Sequence, residues 1–347
     1  MGLKWLKKDG NQKMSKNHDE QDKLMMDTMY WWGIPTFFKC KFQEDIQNTD
    51  IAFVGVPHST GNGTTERDQH LGPRAVRHVS GSLRRVHMKY GFSPWEEAKI
   101  NDLGDVPLPE ANNNEACIRD ISKFYKNISD NLIKPVSIGG DHSVTGGILR
   151  GIAGKNSKLT NGKPVSLLHI DAHTDTFDNL DHFLGAKDSA AHWASFCVRE
   201  GLINAETSIQ VGLRGNTRTL DWLKPSYDLG YKVVTMEEFK KQGIEQVIKK
   251  IKSTLGDNPV YITFDLDCLD PTIAPAVSNL EPGCNGFSID EAISLIQSVK
   301  GLNVIGGDIV CLMPTKDNPN NVTSMVAASV AFEIMSQIAW TNKFNKK

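Results

Sequence analysis

An α/β fold, arranged as a three-layer α/β/α sandwich around a mostly parallel eight-stranded sheet, is what this chain predicts. Three observations carry that reading. Short apolar runs alternate with amphipathic stretches of helical spacing, the pattern of parallel strands joined by right-handed crossovers. The runs read as fully buried, as in sheets covered by helices on both faces. Charged residues stand directly after three of them, at the carboxyl ends where open α/β sheets hold their ligands. In chain order, Ile51–Pro57 is a first strand that leads into a Gly/Thr/Asn loop instead of a helix. Lys99–Val106 follows, then the helical stretch Glu115–Asn131, the strand Pro135–Gly140 and the helix Val144–Ala153. Val165–His173 reads as a strand, with Ala190–Glu200 as the helix before Ile209–Gly215. Tyr231–Met236 precedes one long helical stretch, Met236–Leu255. Val260–Asp267 and Val304–Leu312 are the last strands, each followed by a helix, Ile289–Val299 and Val322–Ile338. A TIM barrel also has eight strands, but the missing helix after Pro57 breaks its alternation.

With 347 residues the chain can bury a large core. The strands are too evenly used to divide, so a single catalytic domain is expected over 46–342. Residues 1–45 form an N-terminal extension, partly flexible and suited to an oligomer contact. Its first part is Lys-, Asn- and Gln-rich with no apolar core, unlike a signal peptide. A net charge of -2, from 39 basic and 41 acidic residues, gives no field for nucleic acid or anionic membrane. No stretch reads as a membrane span. The six cysteines, Cys40, Cys117, Cys197, Cys268, Cys284 and Cys311, include no Cys-x-x-Cys, which speaks for small buried residues in a reducing, cytoplasmic compartment. No Gly-x-Gly-x-x-Gly follows the first strand and no Walker loop exists, so nucleotide binding is a poor reading.

Six donor side chains follow three of the apolar runs. They are His142 in Ser-Ile-Gly-Gly-Asp-His, Asp171, His173 and Asp175 in His-Ile-Asp-Ala-His-Thr-Asp, and Asp265 and Asp267 in Thr-Phe-Asp-Leu-Asp. Alternation along a strand would point Asp171, His173 and Asp175 one way, and Asp265 with Asp267. One such motif alone is ordinarily a helix cap or an Arg partner. Three in one chain bring four carboxylates and two imidazoles together, a set that repels itself unless cations neutralise it. Two divalent metal ions are therefore expected. Oxygen-rich ligands with one imidazole per ion suit Mn²⁺, Ni²⁺, Co²⁺ or Fe²⁺. Such a pair lowers the pKa of a shared water, and hydrolysis is the reaction class.

Gly-Gly-Asp-His, Asp-Ala-His-Thr-Asp and Asp-Leu-Asp-Cys-Leu-Asp-Pro, in this order, resemble the ureohydrolase family of arginases, agmatinases and guanidino-acid hydrolases. The likeness runs from about Asp50 to Trp340 and includes Gly-Pro-Arg-Ala-Val-Arg at Gly72–Arg77. It implies an arginase-like sandwich, hydrolysis of a guanidinium group to urea and an amine, and usually manganese. Carried over, His142 and Asp175 hold one metal and His173 and Asp267 the other, with Asp171 and Asp265 bridging. Asp175 also orients the attacking oxygen. His192 is the best match to the family's proton shuttle, with His182 second. The resemblance further implies a trimer or hexamer, with a hetero-oligomer alongside a paralogue as the alternative.

One departure bears on substrate. Where arginases and agmatinases have a Glu facing the guanidinium, this chain has Cys311. A neutral thiol does not pair with a cation, so Glu281, or Thr65 in the Thr60–Glu66 loop, is the expected compensation. Trp193, after His192, is a further candidate substrate contact. The segments around Trp31-Trp32, His192 and Cys311 are similar to the guanidine hydrolase branch, which implies free guanidine as substrate and nickel ahead of manganese. N-alkylguanidines or biguanides such as metformin come next, a dimethylated nitrogen meeting Cys311 and Met313. Agmatine or a guanidino acid is third. A non-catalytic partner subunit is disfavoured by the complete ligand set, and a one-metal deacetylase by the paired ligands.

Overall fold

The computed structural model describes residues 22–23, 25–26, 29–42, 46–62, 67–83, 85–178, 180–217, 219–281 and 285–345. The strands are β1 (Lys41–Phe42), β2 (Ile51–Gly55), β3 (Ile100–Asp105), β4 (Lys134–Ile138), β5 (Ser166–Ile170), β6 (Ile209–Leu213), β7 (Lys232–Thr235), β8 (Val260–Asp265) and β9 (Val304–Val310). They form one sheet in the order β1-β3-β2-β4-β9-β8-β5-β6-β7, and every neighbouring pair is parallel. The eight expected strands are all there. A ninth is added at one edge by Lys41–Phe42, inside the segment assigned to the N-terminal extension. Both of its residues are exposed, so no apolar pattern marks it.

The helices are α1 (Gly72–Ser80), α2 (Pro94–Glu97), α3 (Asn114–Asp130), α4 (Ser143–Ile152), α5 (Trp193–Arg199), α6 (Lys224–Leu229), α7 (Met236–Gln242), α8 (Ile244–Leu255), α9 (Ile289–Gln297) and α10 (Val322–Asn345). Alternate residues of a strand serve two separate cores, which makes the three layers. Ile51 and Phe53 belong to the core that also holds residues of α1, α8, α9 and α10, whereas Ala52 and Val54 belong to the core with α3, α4 and α5. The single helix expected over Met236–Leu255 is two. Gly243, at φ 78°, ends α7 and starts α8. Thr235 starts α7 with a capping box to Glu238, and Ser288 does the same for α9 with Glu291. The expectation of no membrane-span-like stretch also needs correction. Val322–Thr341 is long and apolar enough by length and composition, and 72% of that window is buried inside the fold. A helix apolar all round is what a position between the sheet and other helices requires.

Arg77, from the Gly-Pro-Arg-Ala-Val-Arg segment, ties α1 to β3. Its Nε and Nη2 donate to the two oxygens of Asp102 at 2.9 and 3.0 Å. Its guanidinium lies 4.1 Å from the centroid of the buried Phe37 ring. That last contact pulls part of the N-terminal aromatic segment into the core, while Trp31 and Trp32 stay exposed.

Candidate metal centre

Strands β1–β4 build one half of the sheet and β5–β7 the other, with β9 and β8 returning to the middle. The order therefore reverses between β4 and β5, where a crevice opens at the carboxyl ends. Four strands deliver the site residues there. His142 is the residue before α4, Cys311 follows β9, Asp265 ends β8, and Asp171 follows β5.

The six predicted ligands come together, though not by strand alternation. β5 ends at Ile170, so Asp171, His173 and Asp175 stand on loop backbone, with Asp175 at a left-handed φ of 50°. Asp267 lies in a 3-10 turn after β8. Turn hydrogen bonds set the geometry instead. Asp171 Oδ1 accepts from His173 N–H at 2.7 Å, and Asp265 Oδ1 from Asp267 N–H at 2.9 Å.

His142 Nδ1 lies 3.0 Å from Asp171 Oδ2, 2.9 Å from Asp175 Oδ2 and 3.2 Å from Asp265 Oδ2. His173 Nδ1 lies 3.1 Å from Asp267 Oδ2 and 3.6 Å from Asp171 Oδ1. Two groups with metal-ligand spacing result, His142/His169/Asp171/Asp175 and Asp171/His173/Asp267, sharing Asp171. Asp265 stands outside both groups by that spacing but touches His142.

Cations fit this cluster. His142 Nε2 is 2.8 Å from Thr263 Oγ1, whose own hydrogen goes to Asp308 Oδ1 at 2.6 Å. The ring must then donate from Nε2, which leaves a lone pair on Nδ1. That lone pair faces three carboxylate oxygens, with no hydrogen bond made at Nδ1 or at the buried Asp267 Oδ2. Something positive has to stand among them. Burial alone would push the His142 and His173 imidazoles down, but the surrounding Asp carboxylates outweigh it and hold both well above the usual range. Asp267 is pushed well up by burial and by its neighbour Asp265.

Groups that sequence reading missed hold the ligands in place. Asp308, fully buried in the middle of β9, accepts from Thr263, from Tyr261 Oη at 2.8 Å and from Thr145 Oγ1 at 2.9 Å. Burial pushes its carboxyl up, while His142 and the three hydroxyls hold it back. His169 donates from Nε2 to Asp171 Oδ2 at 2.8 Å, because Gln210 Nε2 donates to its Nδ1 at 3.0 Å. A signal existed for each: His169 stands two residues before Asp171, and Asp308 interrupts an apolar strand.

The remaining candidates divide. Trp193 is buried, and its indole N–H donates to Asp175 Oδ2 at 2.8 Å. Its polar atom is committed to a predicted ligand. Glu281 Oε1 is 3.1 Å from His173 Nε2, so this carboxylate steadies an imidazole. Cys311 is buried at a φ of 68°, its thiol pushed well up by burial and by the nearby Asp265 and Asp267 carboxylates. His192 is fully buried, with Nδ1 2.7 Å from Ser189 Oγ and no hydrogen bond at Nε2. Burial pushes its imidazole down. His182 is exposed and accepts from Gly185 N–H at 3.1 Å. Thr65 lies outside the described residues, as does Cys284.

Residues 49–336 match the Arginase family. The chain is 34% identical over 305 residues to the mitochondrial guanidino acid hydrolase of Homo sapiens, covering 87% of this chain and 82% of that protein. To the guanidinopropionase of Pseudomonas aeruginosa it is 31% identical over 309 residues, covering 88% and 92%. Its fold superposes on proclavaminate amidino hydrolase from Streptomyces clavuligerus with a TM-score of 0.81 at 28% identity, over 90% of this chain and 99% of that one. The chain belongs to the arginase family. It is a metal-dependent hydrolase of C–N bonds in guanidino compounds, with a binuclear divalent metal centre.

Proposed function

We propose that the protein hydrolyses a small guanidine, first of all free guanidine to urea and ammonia. Cys311 carries this reading: a buried neutral thiol, near the Asp265 carboxylate, stands where the sequence resemblance places a guanidinium-facing Glu. A substrate without a long tail needs no distal clamp. The water oxygen forms a bond to the guanidine carbon, one C–N bond breaks, and the nitrogen leaves as ammonia once protonated.

In this reading, His142, Asp171, His173, Asp175, Asp265 and Asp267 would hold two divalent cations, whose charge would lower the pKa of the attacking water. Asp175, fixed at one oxygen by Trp193, takes a hydrogen of the attacking water and orients it. His192, whose pKa burial lowers and whose Nδ1–H would donate to Ser189 Oγ, takes a proton from the attacking water at Nε2 and returns it to the leaving nitrogen. His169, Glu281 and the Asp308–Thr263 pair fix the ligands' orientation. Nickel ahead of manganese, a homo-oligomeric trimer or hexamer, and a cytoplasmic location belong to the same proposal. N-alkylguanidines and biguanides are its nearest extension, since Met313, two residues after Cys311, is also buried.

A second reading, agmatine or a guanidino acid, is favoured by the relatives, which include an agmatinase of Gallus gallus at 34% identity. Urea release from guanidine, 1,1-dimethylguanidine, metformin, agmatine, arginine and 4-guanidinobutyrate, with nickel and with manganese, separates the two. Highest kcat/KM on guanidine supports the first reading, and on agmatine or 4-guanidinobutyrate the second.

A further inference from the structure

Arg214 is only 6% exposed, and a guanidinium is seldom taken so far from water unless its donors are met. Its partners are of one kind. Nη1 donates to Glu281 O at 2.7 Å, and Nη2 to Asp267 O at 2.7 Å and Leu269 O at 2.8 Å. All three are main-chain carbonyls, not carboxylates. A rigid planar fork bonded in this way fixes the path of a backbone.

That backbone belongs to one half of the metal centre. Asp267 is a predicted ligand, and Glu281 Oε1 lies 3.1 Å from His173 Nε2. Arg214 directly follows β6, and its own N–H donates at 3.0 Å to the carbonyl of Ala172, the residue between Asp171 and His173. Ala172 N–H in turn donates to Asp267 Oδ1 at 3.3 Å. One residue therefore ties the loop after β5 to the loop after β8, where His173 Nδ1 stands 3.1 Å from Asp267 Oδ2. Gly215, next in the chain at φ 100°, completes the arrangement. A Cβ there would lie 2.7 Å from Glu281 Cδ, so any side chain would push that carboxylate away from its place beside His173. The other half is held by different groups, His142 by Thr263 and Asp308, and Asp175 by Trp193. None of the Arg214 bonds named here reaches them.

We propose that Arg214 is the positioning residue of the metal site formed by His173 and Asp267. It acts on Asp267 through the carbonyls of residues 267 and 269, and on His173 through Ala172 and Glu281. This rests on the two-cation reading above and is independent of which guanidine is bound. Lysine at this place would keep the charge but replace the fork by a single nitrogen, which cannot serve carbonyls on both sides of the loop with the same geometry. Affinity for one ion of the pair thus depends on a residue outside all three ligand motifs.

The test titrates nickel into the metal-free full chain in competition with a chromophoric chelator. It compares wild type, Arg214→Lys, His173→Ala and the double variant, with the thermal midpoint of each metal-free protein measured alongside. Wild type should bind nickel in two steps. Arg214→Lys should weaken one of them about tenfold or more, the effect of losing a group that orients a ligand, and leave the other within about threefold. In His173→Ala, where the site in question is already lost, adding Arg214→Lys should not change the remaining step. Equal weakening of both steps in Arg214→Lys, no weakening of either, a further loss in the double variant, or failure of Arg214→Lys to fold overturns the proposal. Arg214 would then support the fold as a whole or nothing at the metals. Fewer than two steps in wild type overturns the two-cation reading instead, so the wild-type titration separates the two failures.

Discussion

Replacing Asp308 by Asn changes one atom in the middle of the sheet and should weaken one of two metal sites. The carboxylate takes three hydroxyl hydrogens, from Thr263, Tyr261 and Thr145, at full burial. Asn offers one acceptor oxygen and one donor nitrogen. If the nitrogen faces Thr263, that hydroxyl must accept from it and turn its own hydrogen toward His142 Nε2, 2.8 Å away. The imidazole proton then moves to Nδ1, and the lone pair that faces Asp171, Asp175 and Asp265 is lost. If the nitrogen faces Tyr261 and Thr145, two buried hydroxyls lose their acceptor, at about 1–3 kcal/mol each. The first orientation leaves one hydroxyl pair strained at most and should prevail. Loss of such an outer partner costs 10–100-fold in metal affinity, or roughly 1.4–2.8 kcal/mol. Competition of apo-protein against a chromophoric chelator resolves two binding steps, and only the step assigned to His142 should shift. Thr263→Val should shift the same step, by removing the acceptor for Nε2–H. Unchanged affinity in both steps for both variants would refute the relay from Asp308 through Thr263 to His142.

Other substitutions test separate parts of the structure. His173→Ala removes the imidazole 3.1 Å from Asp267 and should leave less than two metals per subunit, with activity below about 1% of wild type; full turnover with one metal bound would contradict the binuclear site. Cys311→Glu should move relative kcat/KM toward tailed guanidines such as agmatine by about 10–100-fold, the worth of a hydrogen bond to a charge. An unchanged substrate ranking would place Cys311 away from the guanidinium. Arg77→Met leaves the buried Asp102 unpaired and should cost about 3–5 kcal/mol in urea unfolding. A loss under about 1 kcal/mol would mean that the backbone N–H groups of Phe37 and Gly104 suffice for Asp102.

Much of this fold is legible in the chain because parallel strands buried on both faces leave apolar runs, and charged residues at their ends stand out. β1 is illegible for the opposite reason, since Lys41 and Phe42 are both exposed and leave no apolar run. Gly243 could be seen as a helix break only by weighing one glycine against a long amphipathic pattern. The ligand residues were visible as motifs, but their convergence rests on turns such as the left-handed Asp175, which strand alternation does not anticipate. Partners from other strands were the least visible. Thr263 meets Asp308 only because β8 lies beside β9, and Gln210 meets His169 only because β6 lies beside β5. The bond from the Trp193 indole to Asp175 likewise has no mark in the sequence.

The most direct measurement follows ¹³C,¹⁵N-labelled guanidine by NMR on nickel-loaded protein whose metal content is determined in the same sample. Urea and ammonia formed in equal amounts, with about two metals per subunit and turnover abolished by chelation, is the predicted result. Turnover of guanidine with one metal per subunit, or a higher kcat/KM for agmatine or 4-guanidinobutyrate than for guanidine, would contradict it.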